Sequence, residues 1–90
     1  MTAAEFAAMK LAYLDKCAVK TVGGVPVGEP GEGEHHHLSI SDAVMLIENP
    51  AIDAVVRAGV QRLITEAVGM TSILIHGYTL RQICRANLGG

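Results

Sequence analysis

Three consecutive histidines, His35, His36 and His37, are the side chains of this sequence best suited to bind a metal or to change charge near neutral pH. Successive side chains of an extended strand point to opposite faces, so His35 and His37 share a face that His36 does not. Glu32 or Glu34 can add a carboxylate, but no further ligand follows at a spacing typical of zinc sites. We therefore expect a solvated run at the edge of a loop, without metal or cofactor. A pH-sensitive contact and incidental metal binding are the alternatives.

The cysteines and the glycine-rich segment give no sign of catalysis. Cys17 and Cys84 lack the C-x-x-C spacing of redox and zinc motifs, which favours two reduced, buried thiols. Arg81 and Arg85 flank Cys84 and could make an exposed thiol reactive, but a small buried apolar residue is the simpler interpretation. Residues 28–33 are rich in glycine and lack the Lys-Ser or Lys-Thr of a phosphate-binding loop. We predict that the protein is not an enzyme.

The composition is apolar for so short a chain: 50% of its 90 residues are hydrophobic, 18% are charged and 3% are aromatic. A chain of this length forms one domain and buries only about 60–65% of its unfolded surface. A single small core cannot hide all of this aliphatic surface. Because association buries what folding leaves exposed, we expect self-association or stable docking on a partner.

The distribution of charge argues against a membrane protein and against a strong nucleic-acid binder. The longest apolar run, residues 43–47, is far shorter than the roughly 20 residues of a membrane-spanning helix. Charged side chains throughout residues 1–20 do not fit a signal peptide. The net charge of −2 gives no electrostatic reason for tight binding to nucleic acid. We expect the protein in the cytoplasm, or in a particle assembled there.

The N-terminal half predicts a helix followed by a hairpin. Thr2 and Glu5 have the spacing of a capping box, so a helix should run over about residues 3–17. Glycines and prolines then exclude helix, and β-branched residues, which strands favour, flank Gly23-Gly24. Residues 28–33 have the composition of a flexible loop and residues 36–40 can return as a strand, so we predict a hairpin with a long, mobile tip. The first strands should cover residues 19–22 and 25–27, and the returning strand should cover residues 36–40. The apolar stripe of the first helix contains Phe6, Met9, Tyr13, Leu14 and Cys17.

The C-terminal half predicts three helices. The first begins at Ser39 or Ser41 and ends before Asn49-Pro50, because proline disfavours helix at the residue before it. The clearest helix covers about residues 51–68, with opposite charges four residues apart on its polar faces. Thr71–Tyr78 fits either a strand or a buried helix, and Thr79 has the capping-box spacing for a last short helix that buries Leu80, Ile83 and Cys84. The long helix has an apolar face formed by Ile52, Val55, Val56, Val60, Leu63 and Ala67.

One alternative function follows from residues 64–71, which resemble the first helix and turn of a helix-turn-helix DNA-binding motif. The recognition helix would then begin at Thr71. Its outward positions would include Ser72, Ile73 and His76, without an Arg, Lys, Asn or Gln to contact base edges. A small DNA-binding regulator is therefore the second interpretation of this sequence.

The first fifty residues resemble the phage head–tail joining proteins of the lambda gpW type. The similarity covers Thr2 with Glu5, the alanine-rich first helix, Glu34 before the returning strand, the helix start at residues 39–42, and Ile47. These positions align without gaps. The resemblance implies a small α+β protein that is added to the portal ring and forms the surface on which the tail joins.

Together these features predict a single α+β domain, mainly helical, with a helix–β-hairpin–helix unit at residues 1–50. One long and one short helix should follow in residues 51–90. We expect an assembly protein that forms a homo-oligomeric ring and contacts portal and tail proteins, without membrane or sequence-specific nucleic-acid partners. The candidate interface residues are Ile52, Val55, Val56, Val60 and Leu63, together with His35, His36 and His37.

Overall fold

The computed structural model describes residues 1–89, which contain four helices and two separate antiparallel strand pairs. About 48% of the chain is helical and 18% is strand, so the predicted α+β fold, mainly helical, is confirmed. In chain order the elements are α1 (Ala3–Leu14), β1 (Lys20–Val22), β2 (Val25–Val27), β3 (His35–Ser39), α2 (Ile40–Ile47), α3 (Ala54–Glu66), β4 (Ser72–His76) and α4 (Gly77–Ala86).

Helix α1 begins with the predicted capping box. Thr2 Oγ1 accepts a hydrogen bond from the Glu5 N–H at 3.1 Å, and Glu5 Oε1 accepts one from the Thr2 N–H at 3.0 Å. The helix ends three residues earlier than expected, and the Cys17 N–H donates to Leu14 O in the following turn. Its buried face is also narrower than the predicted stripe. Phe6, Ala7 and Leu14 are buried, while Met9 and Tyr13 are about half exposed.

The two strand pairs arise in different ways. β1 and β2 form a hairpin with a two-residue turn at Gly23 and Gly24, whose φ angles are +58° and +81°, and the long, mobile tip that was expected is not formed. β3 was expected to return to this hairpin but instead pairs with β4. The sequence of residues 71–78 fits either a strand or a helix, and the structure has a strand over residues 72–76. β3 pairs with this distant strand because both can bury one apolar face against the helices.

Side chains alternate along the β3–β4 pair. The inner face buries His36 and Leu38 from β3 and Ile73 and Ile75 from β4. Both strands run directly into a helix, α2 and α4 respectively. Ser39 caps α2 as expected, but α4 is capped by His76, whose Nδ1 accepts the Tyr78 N–H at 3.2 Å, and not through the predicted box at Thr79. The exposed outer face carries His35, His37, Leu74 and His76.

Helix α3 is shorter at both ends than predicted. It begins at Ala54 because the Asp53 side chain caps it by accepting the N–H groups of Val55 and Val56. Arg57 therefore does not pair with Asp53. Its guanidinium donates to the carbonyls of the preceding turn, at Ile47 and Asn49. This fastens the start of α3 to the end of α2.

The core lies between α1, α2, α4 and the inner face of the β3–β4 pair. Arg81 of α4 is buried at its edge and donates to Pro30 O and to the Asp15 carboxylate, each at 2.8 Å. These bonds tie the loop after β2 to α1 and α4. Within residues 1–89, no helix is long and apolar enough to cross a membrane.

Candidate functional site

An apolar groove runs between α3 and β4. It has a volume of about 460 Å³. One wall is formed by α3 and the other by residues of the β3–β4 pair, mainly from its outer face. Val60 is buried at its floor, whereas Val55 is 80% exposed and Leu74 is 51% exposed. The lining residues are His35, Val55, Val56, Gly59, Val60, Leu63, Leu74, Ile75, His76 and Thr79.

The groove continues toward the end of α3. A second depression of about 210 Å³ shares Leu63 and Leu74 with the first and extends to Met70, which is 63% exposed. Apolar surface therefore follows β4 from the beginning of α3 to the loop beyond it. An exposed apolar strip of this kind is typical of a contact surface.

The edge of β4 beside this groove has unused backbone groups. Within the described residues β4 pairs with β3 alone, and the bonds Gly77 N–H to Glu34 O and Ile40 N–H to Thr71 O set the register. In an antiparallel pair the hydrogen-bonding direction alternates along each strand. The N–H and C=O groups of Ser72 and Leu74 therefore point away from β3 and have no strand partner within residues 1–89.

The β1–β2 hairpin is the second exposed apolar feature. All six of its strand residues are exposed, including Val22 at 60% and Val25 at 62%. A two-stranded hairpin without packing is marginally stable in water. Its two edges differ, because Pro26 lacks an N–H on the outer side of β2 while Thr21 offers one on the outer side of β1. The β1 edge is therefore the better suited of the two to pair with another strand.

The structure divides the predicted interface residues into core and surface. Ile52 and His36 are each 5% exposed, and Val60 is 1% exposed, so these three belong to the core. Ile52 and Val60 pack in the apolar core, and His36 is buried because it faces inward from β3. The surface members are Val55, Val56, Leu63, His35 and His37, and all of these except His37 line the groove.

The three histidines lie in two different environments. His35 and His37 share the outer face, as predicted, and His35 stacks edge-on with His76 at 5.1 Å between ring centroids. His36 faces inward, and its Nε2 lies 2.9 Å from Gly31 O. This buried ring is also close to Cys17 and Glu34: one donor atom from each of these three residues lies within 4.8 Å of the others. Sequence reasoning missed this cluster, although the i, i+2 spacing of Glu34 and His36 was a usable signal.

The remaining cysteine has no such neighbours. Cys84 is buried in the core, and burial raises the pKa of its thiol to about 11, despite opposing effects of Lys10 and Arg81. The predicted buried, unreactive thiol is therefore the state of Cys84. Cys17 is half-buried and its Sγ lies 3.6 Å from Tyr13 O.

The geometry of a helix-turn-helix is not formed by residues 54–76. The position of the expected recognition helix, starting at Thr71, is occupied by β4. The segment forms a strand because Ile73 and Ile75 alternate into the core while Leu74 and His76 point outward. No protein-family model matches the chain, and no curated protein or solved structure is significantly similar to it.

Proposed function

We propose that this protein is an assembly component that packs against copies of itself through the α3–β4 groove and the β1–β2 hairpin. The observation that carries the proposal is the groove, which combines exposed aliphatic side chains with an unpaired strand edge. A site that lacks a shaped polar pocket but has both features is suited to bind an extended segment of another chain.

The hairpin of a second copy is the occupant that fits this groove. Its β1 edge can add to the β4 edge by backbone hydrogen bonds, and Val22 can pack against Val55 and Leu74. The hairpin and the groove are different surfaces of one chain, so the contact is heterologous. Heterologous contacts close into rings when the rotation between subunits allows it, which supports the homo-oligomeric ring. The low net charge of −2 does not oppose such association.

The test is the oligomeric state of three variants, measured by sedimentation velocity over a wide range of concentration. Val55→Glu and Val22→Lys should each weaken association by at least about 30-fold, since a buried unpaired charge costs about 2 kcal/mol or more. Ala58→Glu is the matched control, because Ala58 is exposed on the same helix outside the groove. It should associate like the parent chain.

Mixing the two interface variants distinguishes this contact from others. Val55→Glu retains an intact hairpin and Val22→Lys retains an intact groove, so a one-to-one mixture should form heterodimers although each variant alone is monomeric. A parent chain that is monomeric at every concentration would overturn the proposal. Variants that associate as the parent does, or a mixture that stays monomeric, would overturn the hairpin-in-groove contact.

A narrower form of the proposal is a phage head–tail connector component, located in the virion, that docks on the portal ring and receives tail proteins. Its support is the similarity of residues 1–50 to gpW-type joining proteins. Genes for a portal protein and a terminase beside the gene for this chain, and co-sedimentation of the chain with that portal ring, are the expected results. A different gene neighbourhood would remove the connector role and leave self-assembly to be judged by the variants.

A further inference from the structure

We propose that Cys17, Glu34 and His36 form a mononuclear Zn²⁺ site with three protein ligands and a water molecule in the fourth position. The proposal concerns a different part of the molecule from the α3–β4 groove and does not depend on the self-assembly proposed above. It rests on the convergence of a thiol, a carboxylate and an imidazole from two separate segments of the chain.

The donor atoms are already close to the separation that zinc requires. One atom from each residue lies within 4.8 Å of the others. Tetrahedral zinc with bonds of about 2.0–2.3 Å has donors about 3.3–3.8 Å apart, so the three atoms need to approach by about 1 Å. Glu34 is exposed and Cys17 lies in the turn after α1, so both side chains can make this movement.

Backbone structure holds the ligands in place. Glu34 and His36 are two residues apart in an extended segment, so their side chains lie on one face of the chain. The Glu34 carbonyl accepts the Gly77 N–H at 2.8 Å, which fixes the beginning of β3. Cys17 approaches from α1 because its N–H bonds to Leu14 O at 2.9 Å in a tight turn. Two independent elements thus bring their donors to one point.

One ring nitrogen of His36 is held by the backbone. Its Nε2 lies 2.9 Å from Gly31 O, and the ring meets the Tyr13 ring edge-on at 5.7 Å between centroids. With the proton on Nε2, that nitrogen donates to the carbonyl and Nδ1 carries the lone pair that a metal needs. Ligating histidines commonly donate their second ring N–H to a carbonyl in this way.

The chemistry of the three ligands favours zinc. A sulfur, a nitrogen and an oxygen ligand together favour Zn²⁺ over Mg²⁺ or Ca²⁺, which take oxygen ligands. The Cys17 thiol binds as thiolate and releases its proton to solvent.

Bound zinc would close the base of the β1–β2 hairpin. Cys17 precedes β1 and Glu34 follows β2, so one ion joins the two ends of the segment that carries the hairpin. Zinc should therefore raise the thermal midpoint of the protein and slow amide exchange over residues 18–34. Exchange in α3 should change little, because α3 does not contribute a ligand.

The experiment is calorimetric titration of Zn²⁺ into the untagged, reduced protein, with Co²⁺ absorption as a report on the ligands. We expect one ion per chain and a thiolate-to-cobalt charge-transfer band. Cys17→Ser and Glu34→Gln should each weaken Zn²⁺ binding by about tenfold or more, and Cys17→Ser should also abolish the charge-transfer band. Both positions are at or near the surface, and circular dichroism of the metal-free variants checks that they fold.

The matched controls are Cys84→Ala for the thiol, Glu32→Gln for the carboxylate, and His35→Gln with His37→Gln for the imidazole. Each should bind Zn²⁺ as the parent chain does. Loss of binding in His35→Gln would place the metal on the outer face of the β3–β4 pair and overturn the proposal. Unchanged affinity in Cys17→Ser, or a cobalt spectrum without the charge-transfer band, would overturn it as well.

Discussion

The two strand pairs of this protein have the same antiparallel geometry and opposite relations to the rest of the molecule. β1 and β2 are joined by two glycines, and all six of their strand residues are exposed. β3 and β4 are separated by two helices, and each alternates between a buried and an exposed face. The first pair is formed by its turn and the second by its packing. A strand pair whose residues all stay exposed in its own chain is a surface available to another chain.

The largest expected difference between the pairs is in their contribution to stability. Ile75 is 1% exposed, so Ile75→Ala should lower the free energy of unfolding by about 2–5 kcal/mol. Val22 is 60% exposed, and Val22→Ala should change it by less than about 0.5 kcal/mol. Urea denaturation of the monomeric protein measures both values. Similar losses for the two substitutions would show that the hairpin is packed in solution.

Arg81 joins the loop after β2 to α4, which follows β4, and its removal should have the next largest effect. Arg81→Met leaves the Pro30 carbonyl without its two guanidinium donors, which should cost about 1–3 kcal/mol. Asp15→Asn should cost less than about 1 kcal/mol, because the Asp15 side chain is 64% exposed. Denaturant unfolding gives both numbers. An equal loss for the two variants would mean that the ion pair, and not the carbonyl contact, holds the loop.

Gly24 tests whether the hairpin depends on its turn. The φ angle of +81° is strained for any residue with a Cβ, so Gly24→Ala should destabilise the hairpin by about 1 kcal/mol. Amide exchange at Val22 and Val25 should become faster, while exchange in β3 and β4 stays unchanged. The control is Gly59→Ala in α3. The backbone there is helical and an added Cβ would have no neighbouring atom within 4 Å, so the free energy of unfolding should increase by about 0.5–1 kcal/mol. Faster exchange in β4 of Gly24→Ala would show that the two pairs fold as one unit.

The smallest effect should appear in the pH dependence, through the contact between the loop after β2 and α4. The hydrogen bond from Arg85 holds the pKa of Glu29 below its ordinary value of 4.5. Its stabilising contribution is therefore complete above about pH 4.5 and is lost as the pH falls through the lower folded-state pKa. Glu29→Gln should flatten the fall of the thermal midpoint in this acidic range. Glu48→Gln is the control on an exposed helix end, and an identical flattening there would contradict the assignment.

Much of the local structure was predictable because its causes lie within a few residues. The capping box at Thr2 and the cap at Ser39 appear as expected, and the β-branched residues on both sides of Gly23-Gly24 do form strands. The ends of α3 were not predicted, since Asp53 competes with Pro50 as the helix start and its carboxylate captures two N–H groups. The start of α4 at Gly77 was not predicted either, because it depends on a cap from His76, and histidine is not a usual N-cap residue.

The candidate sites were predictable only in part. The apolar face of α3 was visible in the sequence, and Val55 and Leu63 do line the groove. The opposite wall of the groove was not visible, because the exposure of Leu74 depends on which face of β4 packs against the core. The histidine run was also predictable in part. The alternation of a strand separates His36 from His35 and His37, but only packing against α1 brings Cys17 close to His36.

The sequence by itself determined the local elements of this protein: a capped first helix, a glycine-turned hairpin and an amphipathic third helix. Their cause is local, in caps, turn glycines and helical periodicity. Only the tertiary structure decided that β3 pairs with β4, that His36 is buried beside Cys17, and that α3 leaves a groove. These are contacts between residues far apart in the chain, and they form because burial of apolar surface outweighs the entropy of closing long loops.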